Sequence, residues 1–324
     1  MATISPKPKL VTVFGGSGFI GRHVVQALAR RGYRVRVGCR RPELAHHLQP
    51  LGAMGQIHAV QANLRYRWSV DQAVEGADHV INLVGILFET GRQRFDSVQA
   101  FGARAVAEAA RAAGAGLTQG SAIGADAQSD SDYARSKAAG EQAVFETLPQ
   151  AVVIRPSIVF GPEDGFFNRF ANMARFTPVL PLIGGGKTRF QPVYVSDVAE
   201  AFARTVDGTV ATGRIYELGG PRVLTFRECM EEMLEVIQRR RLLVDVPWWL
   251  ARLQGRVLGM LPDPLLTLDQ VKLLATDNVV SEAAQADGRT LEAFAIRPHS
   301  IDAILPTYLW TYRPAGQFSG QRPA

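Results

Sequence analysis

The sequence predicts an α/β chain, a doubly wound parallel sheet with a smaller C-terminal α+β lobe. Three observations carry that expectation. Short apolar runs alternate with amphipathic, helix-like stretches from Leu10 to Ile154. The first of these runs passes directly through a glycine-rich turn into a helical pattern. Beyond Pro156, proline and glycine accumulate and the alternation loosens, as in Gly161-Pro162, Gly184–Gly186 and Gly219-Gly220-Pro221.

The elements follow in order. Leu10–Phe14 is a buried strand, and Ile20, Val24 and Leu28 recur on one face of the helix after it. Arg34–Gly38 is a second strand, followed by a helix starting near Pro42. Ile57–Val60 and His79–Val84 are the third and fourth strands. Phe95–Ala113 is alanine-rich and helical, with Phe95, Val98, Phe101, Ala105 and Ala109 on one side. A fifth strand falls at Leu117–Ser121, although Gly116-Leu117-Thr118-Gln119-Gly120 is a poor strand sequence. Asp132–Thr147 is a helix and Val152–Ile154 a strong sixth strand. This is a Rossmann-type order, in which ligands bind at the strands' carboxyl ends where strand order reverses. The expected division is residues 1–156 plus parts of 190–220 for the nucleotide-binding domain. Residues 157–189 and 221–314 would form the smaller lobe, and 315–324 a disordered tail.

The turn after the first strand reads Gly15-Gly16-Ser17-Gly18-Phe19-Ile20-Gly21. Gly15 permits the sharp turn, Gly18 the approach of backbone amides to a pyrophosphate, and Gly21 close packing of helix on strand. The anion then sits on unpaired N–H groups at the positive end of the helix dipole, with Ser17, Phe19 and Ile20 lining the same turn. About twenty residues on, Cys39-Arg40-Arg41 stands where an acid would bond a ribose 2′-hydroxyl. Guanidinium groups there pair with a 2′-phosphate, which favours NADP(H) over NAD(H); a surface arginine pair is the plainer alternative. Asn63-Leu64 suits the adenine edge, and Val84-Gly85 the ribose and diphosphate. Pro156 and Ile158 complete the candidate cofactor contacts.

Tyr133-Ala134-Arg135-Ser136-Lys137 puts a phenol and an ammonium on one helical face. Lysine is scarce, five in the chain, so random placement gives roughly 0.1 Tyr-x-x-x-Lys pairs. The cation is expected to lower the phenol pKa, so that Tyr133 exchanges a proton with a carbonyl or hydroxyl, while Lys137 also bonds the nicotinamide ribose. Ser121 is the candidate to polarise the same oxygen.

Composition bounds the rest. Hydrophobic content of 47% and charged content of 20% fit a globular protein. The net charge of +6 fits an acidic partner, an anionic ligand or an anionic lipid face. Nucleic-acid binding is not expected, because no basic run is interleaved with aromatics. Cys39 and Cys229 lie far apart, and the six histidines show no metal-ligand spacing, so neither a disulfide framework nor a metal site is expected. The first strand starts too close to Met1 for a targeting peptide and no apolar run spans a bilayer, which points to the cytoplasm. Gly184-Gly185-Gly186-Lys187-Thr188 fails as a P-loop, since Pro181 falls where its first glycine is required. Trp249, Leu253, Val257 and Met260 share a helical face after Pro247, either an interfacial helix or packing within the small lobe.

With these residues in hand, the chain resembles the atypical short-chain dehydrogenases. It is similar in particular to the nucleotide-binding accessory subunit of respiratory complex I (alpha-subcomplex subunit nine) and its bacterial relatives. The strings that carry the resemblance are Gly15–Arg22, Asn82–Phe88, Ser121–Ala125, Arg155–Pro162, Gly165–Phe170, Phe190–Val198, Tyr216–Pro221 and Tyr308–Trp310. Two departures stand out. The fifth strand is polar where the family's is valine-rich, and Asn63 stands where many dehydrogenases have aspartate. The resemblance implies a tightly held NADPH serving structure or sensing. It also implies docking on complex I's peripheral arm near the membrane, with a surface contact around Trp248/Trp249. The alternative is a free reductase, or a nucleotide-sugar epimerase or dehydratase, using Tyr133, Lys137 and Ser121.

Overall fold

The computed structural model describes residues 8–259, 264 and 266–315. Two compact units emerge. The first comprises Met1–Gln128, Arg135–Arg155 and Val198–Tyr216, and the second Ser129–Ala134, Pro156–Asp197 and Glu217–Ala324.

The first unit is built on alternating strands and helices: β1 (Leu10–Phe14), α1 (Phe19–Arg30), β2 (Arg34–Cys39), β3 (Ile57–Gln61), α2 (Arg67–Val74), β4 (His79–Asn82), α3 (Phe101–Ala112), β5 (Gly116–Gly120), α4 (Asp132–Thr147) and β6 (Val152–Pro156). The sheet also takes in a later strand, Ile215–Leu218, giving the order (215–218)-β6-β5-β4-β1-β2-β3. The pairs β1–β2, β2–β3, β1–β4, β4–β5 and β5–β6 are parallel. Strand order reverses between β1 and β4, so the loops after these two strands flank the crevice where such sheets bind ligands. Val11, Val13, Val24, Leu28, Val37, Val80 and Ile81 are fully buried and form the centre of the sheet's packing.

Two sequence expectations need correction. No α-helix starts at Pro42; the segment forms two 3₁₀ turns, Pro42–Leu44 and His46–Leu51, the second containing Pro50, whose missing N–H breaks an α ladder. Phe101 does not lie with Phe95, Val98, Ala105 and Ala109, which are all buried, but is 49% exposed. Residues Asp96–Ala100 form a π turn, whose wider coil advances each residue through a smaller angle, and this rotates Phe101 off the buried face.

The fifth strand forms despite its composition because its polar groups are paired inside the unit. Thr118 Oγ1 bonds His79 Nε2 at 2.8 Å and Thr205 Oγ1 at 2.7 Å. Asn82 Nδ2 donates to Gln119 Oε1 at 2.9 Å. Gly116 makes room for the His79 ring, since a β-carbon there would lie 2.5 Å from Nδ1.

The second unit continues with β7 (Val159–Phe160), α5 (Phe167–Phe176), β8 (Val179–Ile183), β9 (Arg189–Phe190), β10 (Val193–Tyr194), α6 (Val195–Asp207, whose later turns belong to the first unit), β11 (Ile215–Leu218, the strand already placed in the sheet), β12 (Leu224–Thr225), α7 (Phe226–Val236), β13 (Leu242–Val246), α8 (Trp248–Leu258), α9 (Leu268–Leu273), α10 (Glu282–Ala286) and α11 (Ile301–Leu309). Its strands pair two by two, β7 with β10, β9 with β12 and β8 with β13. Its core gathers Phe160, Phe167, Phe190, Phe226, Met230, Met233 and Leu305. Asp164 pins this core: it accepts from the amides of Gly161, Phe166 and Asn168 and from the Tyr308 hydroxyl at 2.6 Å. The triple glycine Gly184–Gly186 is a 3₁₀ turn with positive φ throughout, packed under the Trp248 ring.

His79 gives the fold a pH dependence. Burial, with Lys9 adding, lowers its pKa to about 4, so the folded chain holds it neutral. The unfolded chain takes up a proton near pH 6.5 that the folded chain refuses. Stability present above that pH therefore declines as pH falls toward 4, by about 3 kcal/mol in all. Urea denaturation at pH 7 and pH 4.5 should show this loss, and His79→Asn should remove most of it. An unchanged slope in the variant would assign the acid sensitivity elsewhere.

Candidate functional site

The glycine turn is built as the anion-binding reading requires. Gly15 has φ +77°, and a β-carbon on it would lie 3.1 Å from the Leu83 carbonyl carbon and 3.2 Å from the Val84 nitrogen. The loops after β1 and β4 thus touch through a residue that carries no side chain. At Gly21 a β-carbon would lie 2.1 Å from the Gly15 carbonyl oxygen, so only glycine fits. Gly16, which the spacing argument left without a role, packs against Val37 and Val25. Gly18 is the exposed N-cap of α1 and provides no capping side chain; no acid lies in the first turn. The first intrahelical bond is Arg22 N–H to the Gly18 carbonyl, so the amides of Phe19, Ile20 and Gly21 have no acceptor within the helix. Helices α7 and α9, by contrast, each close their N-termini with a threonine capping box.

Arg40 and Arg41 are both exposed at the end of β2. The structure adds residues that spacing did not single out. Arg40 Nη1 donates to Gln93 Oε1 at 2.8 Å, and Arg65 Nη1 to the Arg92 carbonyl at 3.1 Å. Both guanidinium groups therefore hold the small turn closed by Thr90 and Gln93. Among the described residues, Arg40, Arg41, Arg65 and Arg92 form no ion pair, whereas Arg67 pairs with Asp71 and Glu108 and Arg94 with Glu89. Arg40 and Arg65 thus meet on one turn without a carboxylate bonded to either guanidinium among the described residues.

The neighbouring candidates take up structural posts. Asn63 Oδ1 accepts the Arg65 amide at 3.2 Å and the Asn63 backbone exchanges bonds with Ser69 Oγ, which makes it a turn leading into α2. Leu64 is buried against Gly102 of α3. The Val84 amide donates to Asn82 Oδ1 at 3.1 Å. Pro156 ends β6, and the Ile158 amide donates to Asn278 Oδ1 within the second unit.

Tyr133 and Lys137 stand one turn apart on α4. Asp269, far away in sequence, caps that helix: it accepts from the Ser131 hydroxyl and from the amides of Asp132 and Tyr133. Lys137 is buried, and its Nζ lies 3.1 Å from where a β-carbon on Gly85 would be, so the ammonium sits against the loop after β4. Burial lowers Lys137 to about 8, with Glu141 opposing. The expected lowering of the phenol is not found. Burial and the Asp269 carboxylate push Tyr133 up to about 12, which makes it a neutral proton donor at pH 7.

Ser121 also departs from expectation. Its hydroxyl donates to Glu141 Oε1, a carboxylate that Arg155 grips through Nε (2.8 Å) and Nη2 (2.5 Å). Glu141 is buried. The proton that was to polarise a substrate oxygen is thus committed inside the unit, and residues 122–128 carry no other hydroxyl. Glu141 was legible as the i+4 neighbour of Lys137; Asp269 left no local signal. Among the described residues no cluster of His, Cys, Asp or Glu fits a metal ion. Likewise, no helix there is long and apolar enough to cross a membrane.

Comparison with known proteins agrees with this geometry. Residues 11–219 match the model of the NAD dependent epimerase/dehydratase family. The chain is 35% identical over 320 residues to "NADH dehydrogenase [ubiquinone] 1 alpha subcomplex subunit 9, mitochondrial" of Arabidopsis thaliana, covering 95% of this chain and 79% of that protein. It is 34% identical over 323 residues to the "Ceramide reductase" of Caulobacter vibrioides, covering 95% of each. Among solved structures, the NADPH-dependent quinone oxidoreductase QOR2 of Escherichia coli, complexed with NADPH, superposes with a TM-score of 0.70 at 17% identity. That match covers 90% of this chain and 97% of the other and speaks to the fold alone.

The Glu141–Arg155 pair should dominate stability at the site. Glu141→Ala removes the buried carboxylate that Arg155 grips through two bonds and is expected to cost about 3 kcal/mol, whereas Ser121→Ala should cost about 1 kcal/mol. Equal losses in urea denaturation would contradict this ranking. With the glycine turn, the parallel sheet and the matched relatives together, the chain belongs to the NAD dependent epimerase/dehydratase family, in the group that includes the complex I subunit 9 proteins, and a nicotinamide dinucleotide is its ligand.

Proposed function

We propose that this protein is an NADP(H)-binding accessory subunit of respiratory complex I, in which the cofactor serves structure or sensing. The observation that carries the cofactor assignment is that Arg40, at the end of β2 beside Arg41, and Arg65 hold the same turn while Arg40, Arg41 and Arg65 form no ion pair among the described residues. A 2′-phosphate supplies negative charge to these guanidinium groups through bidentate bonds, which a ribose 2′-hydroxyl does not. The diphosphate lies on the open amides of Phe19, Ile20 and Gly21, beside Ser17 and Gly18, and Lys137 bonds the nicotinamide ribose next to Val84 and Gly85. Bound cofactor stabilises the fold by mass action, about 2.7 kcal/mol at one hundred times Kd.

The likeness to subunit 9 proteins over nearly the whole chain supports association with complex I. It favours the peripheral arm, at the cytoplasmic face of the inner membrane of a bacterial cell. The commitment of the Ser121 hydroxyl to Glu141 supports a structural cofactor, because the acid–base set lacks its third member. A second reading, an NAD(P)-dependent reductase, is favoured by Tyr133, whose neutral phenol suits protonation of a carbonyl oxygen as hydride arrives. The relative named ceramide reductase, matched end to end, supports the same reading.

Mass analysis of the cofactor released from purified protein should find NADP(H). Arg40→Glu/Arg41→Glu should lose it at least tenfold while sparing NADH binding, and unchanged retention would refute the phosphate assignment. Tyr133→Phe should leave both NADPH retention and copurification with complex I in mild detergent intact. Loss of a turnover activity in that variant, with no complex I in the preparation, would favour the reductase.

A further inference from the structure

Helix α8 turns Trp249, Leu253 and Val257 outward, so this face does not pack within the lobe, and Met260, its expected fourth member, lies outside the described residues. The turn Thr90–Gln93 of the first unit has the opposite character, because its polar atoms are engaged. It is a two-residue hairpin loop. The amides of Thr90 and Gln93 each donate to the other's carbonyl, at 3.0 and 2.9 Å, and Gly91 takes the left-handed φ of +55° that such a loop needs at its first central position. Its base is fixed on both sides. Gln99, buried on the π turn, donates through Nε2 to the Ile86 carbonyl at 2.7 Å, and Glu89 Oε1 accepts the amide of buried Phe95 at 2.8 Å. The loop after β4 thereby carries a well-anchored tip across to the end of β2.

At that tip two guanidinium groups are oriented, each by a neutral oxygen. Gln93 Oε1 accepts from Arg40 Nη1 at 2.8 Å, and the Arg92 carbonyl accepts from Arg65 Nη1 at 3.1 Å. Gln93 is half-buried while Thr90, Gly91 and Arg92 around it are exposed, so its side chain lies in against the protein. The neutrality of the acceptor matters. A carboxylate in place of the Gln93 amide would pair with Arg40 and cancel its charge, whereas the amide fixes the planar fork and leaves the cation whole. Arg40 keeps Nε and Nη2 without a partner among the described residues, and that edge can bond a phosphate bidentately. A long side chain held in advance has its rotamers already restricted, so less freedom is lost when an anion arrives.

We propose, resting on the assignment of a 2′-phosphate to Arg40, that Gln93 is a positioning residue for NADP(H) specificity, which sets the Arg40 fork to receive that phosphate. The full chain is titrated with adenosine 2′,5′-bisphosphate and with AMP, which differ only in the 2′-phosphate, and then with NADPH and NADH. Gln93→Ala should weaken the 2′-phosphorylated ligands about fivefold, the cost of immobilising one long side chain, and leave AMP and NADH unchanged. Gln93→Glu should weaken them further, by about tenfold or more, because its carboxylate neutralises Arg40 while keeping the hydrogen bond. A purely structural role predicts the reverse order, since glutamate preserves the contact to Arg40 and alanine removes it. Equal losses for both members of each ligand pair overturn the proposal, as does NADPH binding by Gln93→Glu as tight as wild type. Should Arg40→Glu/Arg41→Glu retain NADPH, the phosphate assignment itself falls. Should that variant lose NADPH while Gln93→Glu keeps it, only the role of Gln93 falls.

Discussion

Helix α1 approaches β1 so closely that Gly21 has no space for a side chain. With a β-carbon 2.1 Å from the Gly15 carbonyl oxygen, even alanine would force the helix away from the turn. That contact sets where the helix begins, and so where three amides without intrahelical partners point. It also lets the β1 loop meet the β4 loop at the backbone of Leu83 and Val84, where the order of strands reverses. The rest of the ligand-facing side, from Gly85 and the Lys137 ammonium to the end of β2, is arranged around this fixed edge.

Buried polarity is the second organising feature. A strand reading Gly-Leu-Thr-Gln-Gly is weak by propensity, yet it occupies the middle of the sheet because every polar side chain on it has a partner. Satisfied polar groups cost little and select one register, whereas the same groups unpaired would exclude the strand. Glu141 works in the same way. Its carboxylate would be costly so deep in the protein without Arg155, and Ser121 fills one of its remaining acceptor positions. Stability and chemistry compete for that serine, and the hydrogen bonds observed give it to stability.

Much of this was legible in the sequence, and what escaped has physical reasons. The strands from Leu10 to Val152, the helix Asp132–Thr147 and the glycine turn follow from local periodicity and backbone sterics, which act over a few residues. Phe101 was misplaced because nothing local announces a π turn. Arg65, Arg92 and Asp269 were missed because their roles depend on neighbours brought together by the fold. Asp269 meets the start of α4 across a separation of 136 residues for its contact with Tyr133. The pKa of Tyr133 was read with the wrong sign for a related reason: spacing reveals the lysine one turn away, but not burial or a distant carboxylate.

What surrounds an arginine decides what it can bind. Arginine carries most of this protein's positive charge, and several arginines are answered by carboxylates: Arg31 by Glu200 and Asp207, Arg67 by Asp71 and Glu108, Arg155 by Glu141. Exposed pairs such as Arg67–Asp71 add little stability, so their value is mainly in leaving no net local charge to attract other molecules, whereas the buried Arg155–Glu141 pair holds the site together. At the end of β2, Arg40 and Arg41 are among the exposed arginines that form no ion pair among the described residues. There they stand on the same side of the sheet's carboxyl ends as the open amides of the glycine turn, a chemistry for phosphates.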